Sequence, residues 1–180
     1  AARVHVMKDR AADPLAEFRK VNTAGTKRLA EQAAAAGVKR FVFLSTTKVT
    51  GELSSLAGFS ETDPAWPEDP YGVSKWEAEQ ALAEISKITD MEVVILRPPL
   101  VYGPGVKGNF LTLLKAVDRK ILLPLGAIQN QRSLIYVGNL ADAIVTAATH
   151  PDAANQTFFI SDEGTVSTPG LIESIATSLS

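Results

Sequence analysis

Two short runs constrain this chain most. Residues 38–44 (VKRFVFL) and 91–96 (MEVVIL) are rich in Val, Ile, Leu and Phe, with no polar–apolar alternation along their length. Strands that read this way are buried on both faces, the condition of a parallel sheet covered by helices. The intervening and flanking sequence supplies the helices. Asp13-Pro14 reads as an N-cap and first helical position. Leu15, Phe18, Val21, Gly25 and Leu29 then recur at helical spacing towards a stop at Gly37, a natural left-handed cap. Residues 71–88 carry Ala78, Ala81, Leu82 and Ile85 on one face. Segment 45–66 reads as a loop, and Pro98-Pro99 ends the second strand. Gly103-Pro104-Gly105 reads as a turn, 109–117 as a helix and 132–137 as a short strand. Asn139 is expected to cap a helix bearing Leu140, Ala143, Ile144, Ala147 and Ala148. A strand over 157–160 and a helix over 171–179 complete the pattern. Strands separated by long helices imply an α/β fold, a parallel sheet with right-handed crossovers.

Composition narrows the function. With 180 residues, 46% hydrophobic and 21% charged, the chain suits one globular domain. Its net charge of −2 argues against a nucleic-acid or anionic-membrane partner, which needs a basic stripe. Cysteine is absent, so disulfides, thiol catalysis and Cys-based zinc sites are excluded. His5 and His150 are too few for a His-rich metal centre. No 18-residue apolar window and no signal-peptide pattern occur, so a cytoplasmic setting is expected.

The sharpest chemical signal is Tyr71-Gly72-Val73-Ser74-Lys75. Tyr and Lys four apart at a helix start share one face. An ammonium there favours phenolate, so the tyrosine can exchange protons with a substrate hydroxyl or carbonyl. Ser45-Thr46-Thr47 follows the first strand. In an open parallel sheet, ligands sit beyond the carboxyl ends of the strands, where these hydroxyls would meet a substrate. A turn that merely satisfies the strand end is the competing reading.

Further segments fall in order along the chain. They are Ala1-Ala2, Asn22-x-x-Gly25-Thr26, Phe41-Val42-Phe43-Leu44-Ser45-Thr46 with Val49-x-Gly51, Pro70-Tyr71-x-x-x-Lys75, Arg97-Pro98 with Val101-Tyr102-Gly103-Pro104-Gly105, and Arg132-Ser133-Leu134-Ile135-Tyr136-Val137 with Leu140-Ala141. This ordered set resembles the extended short-chain dehydrogenases/reductases, in their nucleotide-sugar epimerase/dehydratase branch. The resemblance implies a Rossmann-type doubly wound sheet and NAD or NADP as cofactor. It implies that Tyr71 is the catalytic acid/base, with Lys75 lowering its pKa and holding the nicotinamide ribose. Thr46 matches the hydroxyl that bonds the reacting oxygen, and Asn22 an active-site scaffold position. Ala1, Ala2, Ser45 and Pro98 match cofactor-lining positions. Arg132 matches an arginine that pairs with the substrate diphosphate, and Asn109 a residue of the substrate loop. A homodimer is the expected assembly, and a UDP-linked sugar the expected substrate.

Departures from the family refine this. The glycine-rich loop Gly-x-x-Gly-x-x-Gly, which supplies the main pyrophosphate site, is not in the sequence. The chain is therefore expected to be a truncated piece without the N-terminal strands and part of the C-terminal substrate lobe, and to bind cofactor weakly. Residues 1–105 are read as the later part of the dinucleotide-binding domain with the catalytic helix. Residues 106–180 are read as a partial substrate-binding region interleaved with the sheet. Thr46 is followed by Thr47-Lys48 rather than the Asp-Glu pair that 4,6-dehydratases use to eliminate water, which argues against that chemistry. Leu100 stands where many 4-epimerases carry an Asn. The leading expectation is a UDP-sugar 4-epimerase working through a keto-sugar. A 4-keto nucleotide-sugar reductase is the alternative enzyme. A non-catalytic cofactor-binding scaffold is the alternative of another class, though such members usually lose the Tyr/Lys pair.

Overall fold

The computed structural model describes residues 2–4, 11–52 and 58–179. Its elements in chain order are α1 (Pro14–Phe18), a π-helical segment (Arg19–Ala24), α2 (Gly25–Ala35), β1 (Arg40–Leu44), a 3-10 turn (Thr47–Val49), α3 (Pro70–Ile88), β2 (Glu92–Arg97), β3 (Leu100–Tyr102), α4 (Gly108–Asp118), β4 (Leu134–Tyr136), α5 (Val137–Thr149), a 3-10 turn (Pro151–Ala153), β5 (Thr157–Phe159) and α6 (Thr168–Ser178). They form two compact units. One comprises Ala1–Pro98 and Ala141–Ile160, the other Pro99–Leu140 and Ser161–Ser180. The division falls at Pro98/Pro99 rather than after residue 105, and the chain returns to the first unit to add β5.

The first unit is built on a parallel sheet in the order β1-β2-β5. Successive strand residues face opposite sides. Phe43, Val93 and Ile95 pack against Ala30 of α2 and against Ala78, Leu82 and Ile85 of α3. Val94 and Leu96 pack against Ala147 of α5 and against Ala153, with Val42, Ile144 and Phe158 closing over them. Helices thus cover both faces, which explains the unalternating strand sequences and gives the expected doubly wound arrangement. The edge strand is finished by Glu61, whose Oε1 accepts the Phe159 N–H at 3.0 Å.

The first helical stretch begins and ends as its sequence predicts. Asp13 accepts the Ala16 N–H. Gly37 sits at φ +79°, with Gly37 N–H donating to Ala34 O and Val38 N–H to Ala33 O, a Schellman closure. Its interior differs from one continuous α-helix. Residues 19–24 form a wider π turn that brings Asn22 and Thr23 onto α3.

In the second unit, β3 and β4 pair in parallel, Leu100 opposite Leu134. The prolines end β2 as expected, yet the chain pairs again at once in a separate sheet. Asn139 is not an N-cap. Helix α5 starts directly after β4, and the Asn139 amide donates instead to Asp162 Oδ1 at 2.7 Å. Asp162 also accepts from the Tyr136 N–H and the Tyr102 hydroxyl, so one carboxylate ties the β3–β4 ends.

Leu82 is fully buried whereas Ile88, on the same helix, is 81% exposed. Leu82→Ala should therefore cost about 2–5 kcal/mol of stability, and Ile88→Ala less than about 0.5 kcal/mol. Urea unfolding checks both; equal losses would place the core elsewhere.

Candidate active site

The site forms where β1 ends and α3 begins. Asp69 caps α3, its Oδ1 accepting the Gly72 N–H at 2.6 Å, and Pro70 fills the first helical position. Gly72 allows the helix start to approach the loop after β1: a Cβ there would lie 2.8 Å from the Lys48 carbonyl oxygen. Tyr71 is thereby set against Thr46, whose hydroxyl favours the phenolate. Thr46 is buried and extended, and its Oγ1 also accepts the Lys48 N–H at 3.3 Å. The loop is tied down by Thr47 N–H donating to Pro98 O. The Phe18 ring meets the Tyr71 ring edge-on at 6.1 Å.

Lys75 lies one turn further along α3 and is 4% exposed. Its Nζ donates to the Leu44 carbonyl at 2.6 Å and sits 4.0 Å from the centre of the Phe43 ring. An ammonium carries three donors, and the described residues engage one of them. Burial pushes Lys75 down to about 8, opposed by the charge of Glu79. Burial pushes the Tyr71 phenol up to about 12, reinforced by Asp69; Lys48 and the Thr46 hydroxyl pull the other way. Lys75 makes no resolved contribution to the phenol, because its ammonium is directed at the β1 end. The nearby cation acting on Tyr71 is Lys48, itself held by Asp69 at 2.5 Å and Glu52 at 2.7 Å.

The other expected residues are distributed as follows. Asn22 is buried; its Nδ2 donates to Ser74 Oγ and Arg3 O, and its Oδ1 accepts the Arg3 N–H. It stitches the residue-3 backbone to the helix of Tyr71, a scaffold role in geometry. Ser45 is buried and its hydroxyl is spent on Glu79. Pro98 is buried at the end of β2, and Ala2 is exposed. Ala1 and His5 lie outside the described residues. Asn109 and Arg132 belong to the second unit and are exposed. The Arg132 backbone exchanges two hydrogen bonds with Val166, while its guanidinium makes no ion pair among the described residues. Of the aromatic residues left outside the site, Trp66 is 75% exposed. His150 caps a 3-10 turn. Sequence reading missed Glu79 and Lys48. A signal for Glu79 existed, since Tyr71, Lys75 and Glu79 recur every four residues on one helix face.

The donor set suits the nicotinamide-ribose end of a dinucleotide. Lys75 offers ammonium donors for hydroxyls beside a phenol at the carboxyl edge of the sheet. No glycine-rich pyrophosphate loop is present in this sequence to complete the site.

Comparison with known proteins identifies relatives of the chain as a whole. The chain is 53% identical to a UDP-glucose 4-epimerase of Vibrio cholerae, over 99% of this chain and 55% of that protein. Among solved structures, a UDP-glucose 4-epimerase of Thermotoga maritima with UDP-glucose superposes with a TM-score of 0.82 at 25% identity, over 98% of this chain and 58% of that one. MoeE5 in complex with UDP-glucuronic acid and NAD superposes with a TM-score of 0.79 at 27% identity, over 91% of this chain and 56% of that one. The chain thus spans about half the length of the relatives it matches. The family model for the NAD dependent epimerase/dehydratase family matches residues 1–161. On this match and the Vibrio cholerae identity, the chain belongs to the NAD-dependent epimerase/dehydratase family, with its Rossmann-type α/β fold.

Proposed function

We propose that the full-length protein is an NAD(P)-dependent nucleotide-sugar 4-epimerase acting on a UDP-linked sugar. Tyr71, Thr46 and Lys75 carry its proton chemistry. The observation that carries this reading is that Tyr71 lies against Thr46 while Lys75 reaches the Leu44 carbonyl, both at the carboxyl end of β1. The relatives named as UDP-glucose 4-epimerases support the choice of substrate class.

NAD(P), when bound, would supply reversible hydride transfer at the sugar carbon that bears the reacting hydroxyl. Tyr71 takes the proton of the reacting hydroxyl as the keto-sugar forms and returns it when the sugar is reduced. Thr46 bonds the same oxygen and holds it against the phenol. In the ligand-free site the phenol is protonated, since burial holds it near 12. Acting as a base therefore requires cationic help, which Lys48 provides. Lys75 holds the ribose hydroxyls with donors not engaged at Leu44. Ala1, Ala2, Pro98 and the Ser45 backbone line the cofactor. Arg132, with no competing carboxylate among the described residues, pairs its planar fork with the diphosphate, and Asn109 contacts the substrate from α4. Thr47-Lys48 offers no carboxylate for water elimination, so the proposed chemistry stops at epimerisation.

In the full-length protein, Tyr71→Phe should lower kcat by about 10²–10⁴-fold with the fold intact. Thr46→Val should lower it by about tenfold, the effect of losing one hydrogen bond. Near-normal turnover of Tyr71→Phe would sink the mechanism. Arg132→Ala should weaken calorimetric binding of UDP-sugar by roughly 10–100-fold; unchanged affinity removes Arg132 from the site.

Lys75 makes stability depend on pH. Its folded midpoint near 8 lies below the ordinary 10.5, so between these values the unfolded chain binds more protons. The burial cost is full below about 8 and is relieved as pH rises towards 10.5. Lys75→Met, which carries no such cost, should therefore lead wild type in urea midpoint at pH 7 by more than at pH 10. A lead independent of pH would mean that Lys75 keeps its ordinary pKa.

A further inference from the structure

Directly behind the site lies a buried ion pair that the proposed chemistry does not use. The side chains of Glu79, one turn beyond Lys75 on α3, and Arg97, the last residue of β2, are 3% and 6% exposed. Arg97 Nη2 donates to Glu79 Oε2 at 2.6 Å, and Arg97 Nε donates to Oε1 at 3.2 Å. Ser45 Oγ donates to that same Oε1 at 2.5 Å. The guanidinium lies 5.5 Å from the centre of the Phe159 ring, and its Nη1 has no hydrogen-bond partner among the described residues.

An arrangement like this is a poor way to gain stability. Two charges are desolvated and the Nη1 group is left unsatisfied, so an apolar substitute of the same volume would cost less. What the carboxylate supplies is position. It gathers the end of β1 through Ser45, the end of β2 through Arg97, and α3 through its own backbone. Ser45 is the residue before Thr46, and its N–H donates to Leu96 O at 2.7 Å. Leu44, the residue before that, receives the Lys75 ammonium. Glu79 therefore lies beside the Lys75–Leu44 contact, while the helix start is tied to the same loop separately by Lys48 and Asp69.

Glu79 also faces Lys75 electrostatically. From α3 the ammonium is met by Glu79, whose charge favours it, with Tyr71 one turn earlier. From β1 it meets the Phe43 ring and the Leu44 carbonyl, neither of which titrates. From β2 the charged group is Arg97, already bound to Glu79. Removing the Glu79 charge leaves Lys75 in its apolar surroundings with Arg97 unpaired behind it, and both changes disfavour the ammonium.

We propose that Glu79 is a positioning residue, clamped by Arg97, whose single buried carboxylate holds both the β1 terminus and the Lys75 ammonium in place for Tyr71 and Thr46. The link to turnover rests on the function proposed above; the link to Lys75 does not. The test is made on the full-length protein with Glu79→Gln and Glu79→Asp. Lys75 is titrated by NMR of ¹³Cε-labelled lysine without ligand, with Lys75→Met assigning its signal, and kcat and KM are measured against pH. Glu79→Gln should lower the Lys75 midpoint by about one pH unit or more. It should also cut kcat at neutral pH at least about tenfold, with KM changed much less. Glu79→Asp keeps the charge, so the Lys75 midpoint should stay near wild type while kcat falls because the grip on Ser45 loosens. An unmoved Lys75 midpoint in folded Glu79→Gln overturns the proposal. Should Glu79→Gln fail to fold, Glu79→Asp decides, and a wild-type kcat there overturns it. If the wild-type protein turns over no UDP-sugar, the proposed function fails by itself, and the ligand-free titration still judges Glu79.

Discussion

The first unit depends on α3 lying across the β1–β2 pair. Ala78, Leu82 and Ile85 fit against Phe43, Val93 and Ile95, and all six side chains are buried. Because β1 and β2 are parallel and in register from Arg40 opposite Glu92 to Leu44 opposite Leu96, both strands end at the same edge. A helix packed at that register must start beside that edge. The phenol and the ammonium are consequently carried to the strand ends by this apolar packing, to which the buried Glu79, Arg97 and Ser45 add polar links at the edge itself. The close approach of Gly72 to the Lys48 carbonyl is the final adjustment, since a side chain there would push the helix start away.

Burial sets the protonation of the resulting site, and it acts in opposite directions on its two titrating groups. It disfavours phenolate at Tyr71 and ammonium at Lys75, so each is pushed towards its neutral form. The structure answers with local partners rather than with solvent. The Thr46 hydroxyl and Lys48 favour phenolate, and Glu79 favours the ammonium. A site arranged in this way holds its acid ready and ties formation of the base to the company of cations. Such coupling suits chemistry in which one oxygen must lose and regain the same proton.

Several features were legible without coordinates because they follow from local chemistry. Asp13-Pro14 as helix start and Gly37 as helix stop are matters of backbone donors and of φ, and both hold. The Tyr71/Lys75 spacing is a property of any helix. Other features depended on partners distant in sequence. Asn139 has the right residue type for a cap, yet α5 begins two residues earlier and the Asn139 amide finds Asp162, which no local rule could reveal. Strand β3 exists because β4 is there to pair with it, although two prolines immediately precede it. The π turn around Asn22 reflects its bonds to Arg3 and Ser74, not the propensity of residues 19–24.

The sequence by itself determined the parallel α/β class, the family, and the tyrosine–lysine pair to which the proposed chemistry is assigned, since these depend on composition, order and short spacings. Tertiary structure alone decided the direction of the charges. Lys75 reaches for the Leu44 carbonyl instead of the phenol, Lys48 becomes the cation that acts on Tyr71, and Glu79 becomes the carboxylate on which strand ends and helix converge. The physical reason is that a pKa and a buried ion pair depend on distance and dielectric in three dimensions. Ser45, Glu79 and Arg97 are far apart along the chain, and only folding removes the water between them.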